Sequence, residues 1–153
     1  MLPYRKCVAI ILRKNDRIFV AERLDIKNAW QLPQGGVDKS ESYIDAAKRE
    51  LLEETGISSV KFFAQTNLLY KYDFPKYSQD QMIKKYGKLK YRGQELRFVW
   101  FDFIGDDSEI DLLHDTKEFR QWKWETAENI LDSIVDFKRT CYKNAFFELN
   151  LFR

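Results

Sequence analysis

The sequence predicts an α/β (α+β) fold, in which strands and helices mix along one chain. Three observations carry this. Two apolar runs near the start, Tyr4 to Leu12 and Arg17 to Glu22, are joined by a turn at Lys14-Asn15-Asp16 and read as a β-hairpin. A helix-length segment follows a pair of glycines, and the strongest strand of the chain, Gln94 to Ile104, comes after it. The 153 residues suit one domain spanning 1–153, with 44% hydrophobic and 33% charged residues, a soluble, globular composition. Net charge is 26 − 24 = +2, too small to draw nucleic acid by bulk charge, so any polyanion must be recognised by local placement. Cys7 and Cys141, far apart, read as free thiols in a reducing cytoplasm. The apolar run from Cys7 to Leu12 is too short for a signal segment or a membrane span.

In chain order, Val8, Ile10, Ile18 and Val20 are expected in the core, with Arg5 and Arg23 at strand edges. Those two arginines are either surface charges or phosphate contacts. Pro33 and the glycines of Asn28 to Gly36 force an irregular, tight approach to the next helix. That helix runs from Tyr43 to Thr55: Ser42 is the N-cap with Asp45 three residues on, and Gly56 ends it. Ile44, Ala47 and Leu51 share its core face. Glu50, Glu53 and Glu54 stand at i, i+3 and i+4, so their carboxylates share an adjacent face. Like charges that close require a cation, and oxygen-only ligation suits Mg²⁺ or Mn²⁺.

Ser59 to Thr66 and Leu68 to Phe74 read as strands, the second ended by Pro75. Lys76 to Arg92, with Lys84, Lys85, Lys88, Lys90 and Arg92 among tyrosines, reads as a long connection. It is either a solvated loop or a binding segment that holds phosphates and stacks a base. Arg120 to Trp124 is a short strand, and Thr126 to Phe152 one broken or two consecutive helices. There Ile130, Leu131, Ile134 and Val135 mark one core face, and Phe146, Phe147 and Leu149 a second. Between them Phe137 and Lys138 are either core and surface, or a base-stacking and phosphate-holding unit. His114, the sole histidine, has no partner for a zinc site or a triad.

The stretch Gly35 to Ile57 matches G-x5-E-x7-R-E-U-x-E-E-x-G-U, U being apolar, at Gly35, Glu41, Arg49, Glu50, Leu51, Glu53, Glu54, Gly56 and Ile57. This is the Nudix box, and the chain resembles the Nudix hydrolases. The resemblance implies an α/β/α sandwich with a mixed sheet between helices. It also implies cleavage of a nucleoside diphosphate linked to another group, with two or three Mg²⁺ or Mn²⁺ ions. Glu50, Glu53, Glu54 and the Gly36 carbonyl would bind metal, while Arg49 orients a carboxylate and Glu41 braces the loop–helix junction. W-Q-L-P-Q-G-G, L-Y-K-Y-D-F-P, Y-R-G-Q, K-E-F-R-Q-W-K-W and V-D-F-K-R-T-C-Y resemble blocks of a narrower group. That group comprises the bacterial RNA pyrophosphohydrolases and the related asymmetric dinucleoside polyphosphate hydrolases. By this resemblance Glu118 is an extra glutamate brought to the metal cluster as ligand or base. Arg5, Tyr72 and Lys138 are phosphate contacts, and Phe137 packs a base. Arg23 is a further substrate contact, although one residue is inserted between it and Trp30. Ser40 replaces the usual glycine before the first box glutamate.

The expected partners are therefore 5′-phosphorylated RNA, as in mRNA decay, or a dinucleoside polyphosphate such as diadenosine tetraphosphate, cut into ATP and AMP. A noncatalytic nucleotide-binding module is disfavoured because every box glutamate is present. The general base is either a box glutamate or Glu118.

Overall fold

The structure, a computed structural model, describes residues 1–152. Strand β1 (Tyr4–Lys14) turns at Asn15, which has a positive φ of 57°, into β2 (Arg17–Arg23). Two short strands follow, β3 (Trp30–Gln31) and β4 (Gln34–Gly36), then helix α1 (Tyr43–Thr55). Next come β5 (Val60–Gln65), β6 (Tyr70–Asp73), helix α2 (Lys76–Tyr86) and β7 (Gly93–Phe103). A 3-10 turn at Asp107–Glu109 precedes β8 (Phe119–Glu125), α3 (Ala127–Ser133) and α4 (Asp136–Glu148).

The strands form one mixed sheet in the order β3-β2-β1-β7-β5, with β4 also on β1, β6 on β7 and β8 on β2. β1 and β7 run parallel at the centre over ten paired positions, from Tyr4 against Gly93 to Arg13 against Asp102. A strand covered on both faces reads as a continuous apolar run rather than an alternation, as Cys7 to Leu12 does. Its odd positions, Cys7, Ala9 and Ile11, pack with Leu96, Phe98 and Trp100 against Ile130, Tyr142 and Phe146 of α3 and α4. Its even positions, Val8, Ile10 and Leu12, pack with Val99 and Phe101 against Ala46, Ala47 and Leu51 of α1. Helices thus cover both faces of the sheet, the sandwich that the resemblance implies.

Three expectations are corrected. The connection Lys76 to Arg92 is largely helical: Pro75 fixes the extended residue before α2, and Gly87 closes it with a left-handed φ of 85°. Val135 and Phe147 are exposed rather than core. On α4 the buried residues are Lys138, Cys141, Tyr142, Ala145 and Phe146, and one further step of about 100° turns Phe147 out to solvent. The loop before α1 is less irregular than expected, since β3 and β4 each pair with a neighbour. Among the described residues no helix is long and apolar enough to cross a membrane.

Candidate active site

The site grows from the junction of β4 and α1. β4 pairs antiparallel with β1, placing Gly36 opposite Cys7 and Gly35 opposite Val8. The Val37 N–H donates to the Lys6 carbonyl at 3.0 Å and pins the exit of the strand. α1 starts where Ser42 Oγ accepts the Asp45 N–H at 3.0 Å, and it ends at left-handed Gly56, φ 72°. At both glycines of the turn a side chain would displace a charged group. A Cβ on Gly35 would lie 2.0 Å from Glu50 Cδ, and one on Gly36 would lie 2.6 Å from an Arg5 Nη2.

Arg49 ties the turn to the helix. Its Nε donates to Glu41 Oε2 at 2.8 Å and its Nη2 to Glu41 Oε1 at 2.9 Å, a two-pronged pair. Nη1 donates to Glu50 Oε1 at 2.9 Å, and Nη2 to the Gly36 carbonyl at 2.9 Å. Glu53 Oε1 stands 3.5 Å from Nη1. The hydrogen bonds from Arg49 hold the Glu41 carboxyl down at about 2. Glu50 is pushed above the ordinary carboxylate range by burial, against the pull of Arg49.

Glu54 differs from its neighbours. It is 6% exposed, and its Oε1 is buried without a hydrogen-bond partner. Burial first, and the nearby charges of Glu50 and Glu118 next, push it up to about 9. Glu118 arrives from a separate segment that is fastened to the end of α1. The Asp111 N–H donates to the Thr55 carbonyl at 2.8 Å, and the Thr116 N–H to the Glu53 carbonyl at 3.1 Å. Five expected residues, Glu41, Arg49, Glu50, Glu53 and the Gly36 carbonyl, are therefore joined by contacts to Arg49, and Glu118 is brought to Glu54.

Among the described residues no three acidic, histidine or cysteine side chains close on a common point, because Glu50 and Glu53 lean towards Arg49. The donor set nevertheless fits a hard divalent cation: every candidate is an oxygen, and one buried carboxylate oxygen lacks a partner. A buried carboxylate among like charges is the arrangement such an ion relieves.

Glu54 and Glu118 line a cleft of about 800 Å³ together with Arg5, Arg23, Tyr72, Phe137 and Lys138. Tyr72 and Phe137 stack at 5.4 Å with an interplanar angle of 20°. Lys138 is 4% exposed. Its Nζ donates to Gln31 Oε1 at 3.2 Å and lies 5.8 Å and 5.9 Å from the Tyr72 and Phe137 ring centres. Burial, and then the charge of Arg23, lower it to about 8. Arg23 is held at the rim by a two-pronged pair with Asp25 at 2.9 Å and 2.6 Å. His114 is exposed and takes no part in the cleft.

Sequence reasoning missed the glutamines. Gln34 Nε2 donates to Gln94 Oε1 at 2.8 Å, and the Tyr72 hydroxyl donates to the same oxygen. Gln34 Oε1 is buried without a partner. The sign in the sequence was a polar residue on either side of Leu32-Pro33 and at the start of a strong strand. It missed α2 as well, whose Gln81, Lys85 and Tyr86 form a wall of the cleft.

Comparison with known proteins agrees with this geometry. The family model described as the NUDIX domain matches residues 3–145. The chain is 46% identical over 145 residues to a protein of Pelagibacter ubique named RNA pyrophosphohydrolase, covering 94% of this chain and 89% of that one. It is 40% identical over 149 residues to a protein of that name from Dinoroseobacter shibae, covering 95% and 91%. Among solved structures, that of the E. coli dihydroneopterin triphosphate pyrophosphohydrolase superposes with a TM-score of 0.70 at 16% identity. The match covers 97% of this chain and 99% of that chain, a likeness of fold alone. The box, the sandwich and the match over nearly the whole chain together show that this chain belongs to the Nudix family.

Proposed function

We propose that the chain is a Nudix hydrolase that removes pyrophosphate from 5′-triphosphorylated RNA and leaves a 5′-monophosphate. The observation that carries this reading is one cleft lined both by the carboxylates of Glu54 and Glu118 and by the stacked Tyr72–Phe137 pair with Lys138. A terminal nucleotide presents the matching pair of groups, a polyphosphate that wants cations and a base that wants an aromatic face. Relatives named RNA pyrophosphohydrolase, at 46% and 40% identity, support RNA as the substrate. The two buried free thiols favour a reducing compartment, and we place the enzyme in the cytoplasm.

Glu50, Glu53, Glu54, Glu118 and the Gly36 carbonyl would hold two or three Mg²⁺ or Mn²⁺ ions. Bound there, such ions neutralise phosphate oxygens and lower the pKa of a coordinated water. The chain's own groups do the rest. Arg5 and Lys138 hold the polyphosphate, Arg23 meets it at the rim, and Phe137 on Tyr72 packs the base. Arg49, braced by Glu41, keeps Glu50 turned towards the glycine turn. Glu118 is our choice of base, because among the described residues it has no cationic partner and is open to solvent, whereas Glu50 and Glu53 face Arg49 and Glu54 is buried. Glu118 takes the proton of the attacking water as the new O–P bond forms. The α–β anhydride breaks, and its electron pair leaves with pyrophosphate.

The test is a competition in Mg²⁺ between a short 5′-triphosphorylated RNA and diadenosine tetraphosphate, read as two values of kcat/KM. We expect the RNA to win. A preference for the dinucleotide would instead assign a dinucleoside polyphosphate hydrolase, and cleavage of neither would overturn the enzymatic reading.

A further inference from the structure

Helix α2 buries no residue, unlike α1, α3 and α4. Its N-cap Pro75 makes no side-chain capping bond. At 11 residues it falls short of the roughly 12–15 at which an isolated helix becomes even marginally stable in water. It hangs from its ends and from a few edge contacts: the Gln79 amide donates to the Phe74 carbonyl at 2.9 Å, and Tyr77 meets Phe137 edge-on at 6.4 Å. What it faces is the cleft, through Gln81, Lys85 and Tyr86, and the turn after it continues that wall with Lys88, Lys90 and Tyr91.

The chemistry of this wall is specific. Lys85 and Lys90 lie 5.2 Å and 5.7 Å from the ring centres of Tyr86 and Tyr91. Lys85, Lys88 and Lys90 are exposed; among the described residues none forms a salt bridge, whereas Lys76 of the same helix pairs with Asp80. Tyr86 is 69% exposed. On a chain of net charge +2, three cations without a salt bridge among the described residues, set beside Tyr86 and Tyr91 on one wall of the cleft, form a concentrated feature. That composition fits single-stranded nucleic acid: phosphodiesters for the lysines, bases for the rings.

We propose that α2 and the Gly87–Tyr91 turn form a cationic clamp for the second and third nucleotides of a single-stranded RNA whose 5′ end occupies the cleft. This rests on the RNA reading of the site. A dinucleoside polyphosphate has no phosphodiester beyond its first nucleoside and leaves the lysines without a partner. The clamp therefore makes Lys85, Lys88 and Lys90 specificity-determining residues. It also explains a helix that contributes nothing to the core, since the strand beneath it supplies the missing contacts.

The test is equilibrium binding without turnover, in EDTA. It uses labelled 5′-monophosphorylated oligoribonucleotides of one to four nucleotides, with the native protein and a Lys85→Gln/Lys88→Gln/Lys90→Gln variant. For the native protein we expect affinity to rise about tenfold from one nucleotide to three and then level off, since a stacked base alone supplies that much. Its salt slope should steepen by about 0.7 for each added phosphate contact. In the variant both trends flatten, and amide exchange in residues 76–91, slowed by the trinucleotide in the native protein, stays fast. Native affinity independent of length, or a variant with the native length dependence, would overturn the clamp. Hydrolysis of triphosphorylated RNA is assayed separately, so failure of the active-site reading and failure of the clamp give different results.

Discussion

Replacing Glu54 by Gln should stabilise the metal-free protein while abolishing its activity. Glu54 is 6% exposed with a partnerless oxygen, and its carboxyl is raised from 4.5 to about 9 by burial and by Glu50 and Glu118. The sign follows from proton counts. Below 4.5 the folded and unfolded chains both hold the proton and there is no penalty. Between 4.5 and 9 the unfolded chain ionises while the folded chain keeps its proton, so stability falls as pH rises. At about pH 7.5 the gap is roughly three units, and about 1.4 kcal/mol per unit sets a ceiling of about 4 kcal/mol. Glutamine has the shape of the neutral acid and nothing to ionise, so it removes this penalty. At about 2–4 °C per kcal/mol for a chain of this size, the rise in Tm approaches roughly 10 °C. The assay is thermal unfolding of both proteins in EDTA from about pH 4.5 to 8.5. The expected result is coincidence at the acid end and a widening advantage for the variant towards pH 8.5. With Mg²⁺ restored, the native protein should regain stability with a gain that grows with pH, and the variant should gain less. A variant no more stable than native at pH 7.5, or an offset independent of pH, would refute the reasoning.

Three further outcomes are expected. Glu118→Gln should lower kcat by about 10²–10³ with KM little changed, as loss of a general base does; a full-rate variant would move the base to α1. Lys138→Met should raise stability at neutral pH by up to about 3 kcal/mol, because a lysine lowered from 10.5 to about 8 gives its full stability only above 10.5 and loses it as pH falls through 8. The same variant should raise KM, and native KM should itself climb above about pH 8, both readable from initial rates. Gly35→Ala should cut kcat in initial-rate assays with at most about 1 kcal/mol lost in urea unfolding, since the added methyl meets the Glu50 carboxyl at 2.0 Å and displaces it.

The parts of the site that are local in sequence were legible. Helix α1, its cap at Ser42, its stop at Gly56 and the three glutamates follow from spacing within one short stretch. The two glycines were readable as a tight entry to the helix, and only the structure shows Glu50 and Arg5 crowded against them. Nonlocal polar contacts were not legible. Gln34 and Gln94 meet in the cleft because β4 and β7 both border β1, and Gln31 joins them from β3, which borders β2, adjacencies no local pattern encodes. Helix α2 was missed for the opposite reason. Its ends were marked by Pro75 and Gly87, but it has no apolar stripe, so periodicity was silent. Val135 and Phe147 show the remaining limit: an apolar residue one step past a buried stripe scans as core and points to water.

The last turn of α1 has a consequence for how this chain can change. Helices normally leave their final carbonyls to water, but here the Glu53 and Thr55 carbonyls receive the Thr116 and Asp111 N–H groups. The loop bearing Glu118 is thus gauged from the helix that bears the other glutamates, by main-chain atoms that every residue type but proline supplies. Leu113, His114 and Asp115, exposed between the two attachment points, are free to drift in identity without moving Glu118. The number of residues between Asp111 and Thr116 is not free. One inserted or deleted residue there would unhook an attachment and carry Glu118 away from Glu54, however conservative the surrounding sequence. Variation in this region should therefore run through substitution rather than length, with the insertions that lengthen a loop falling upstream of Asp111.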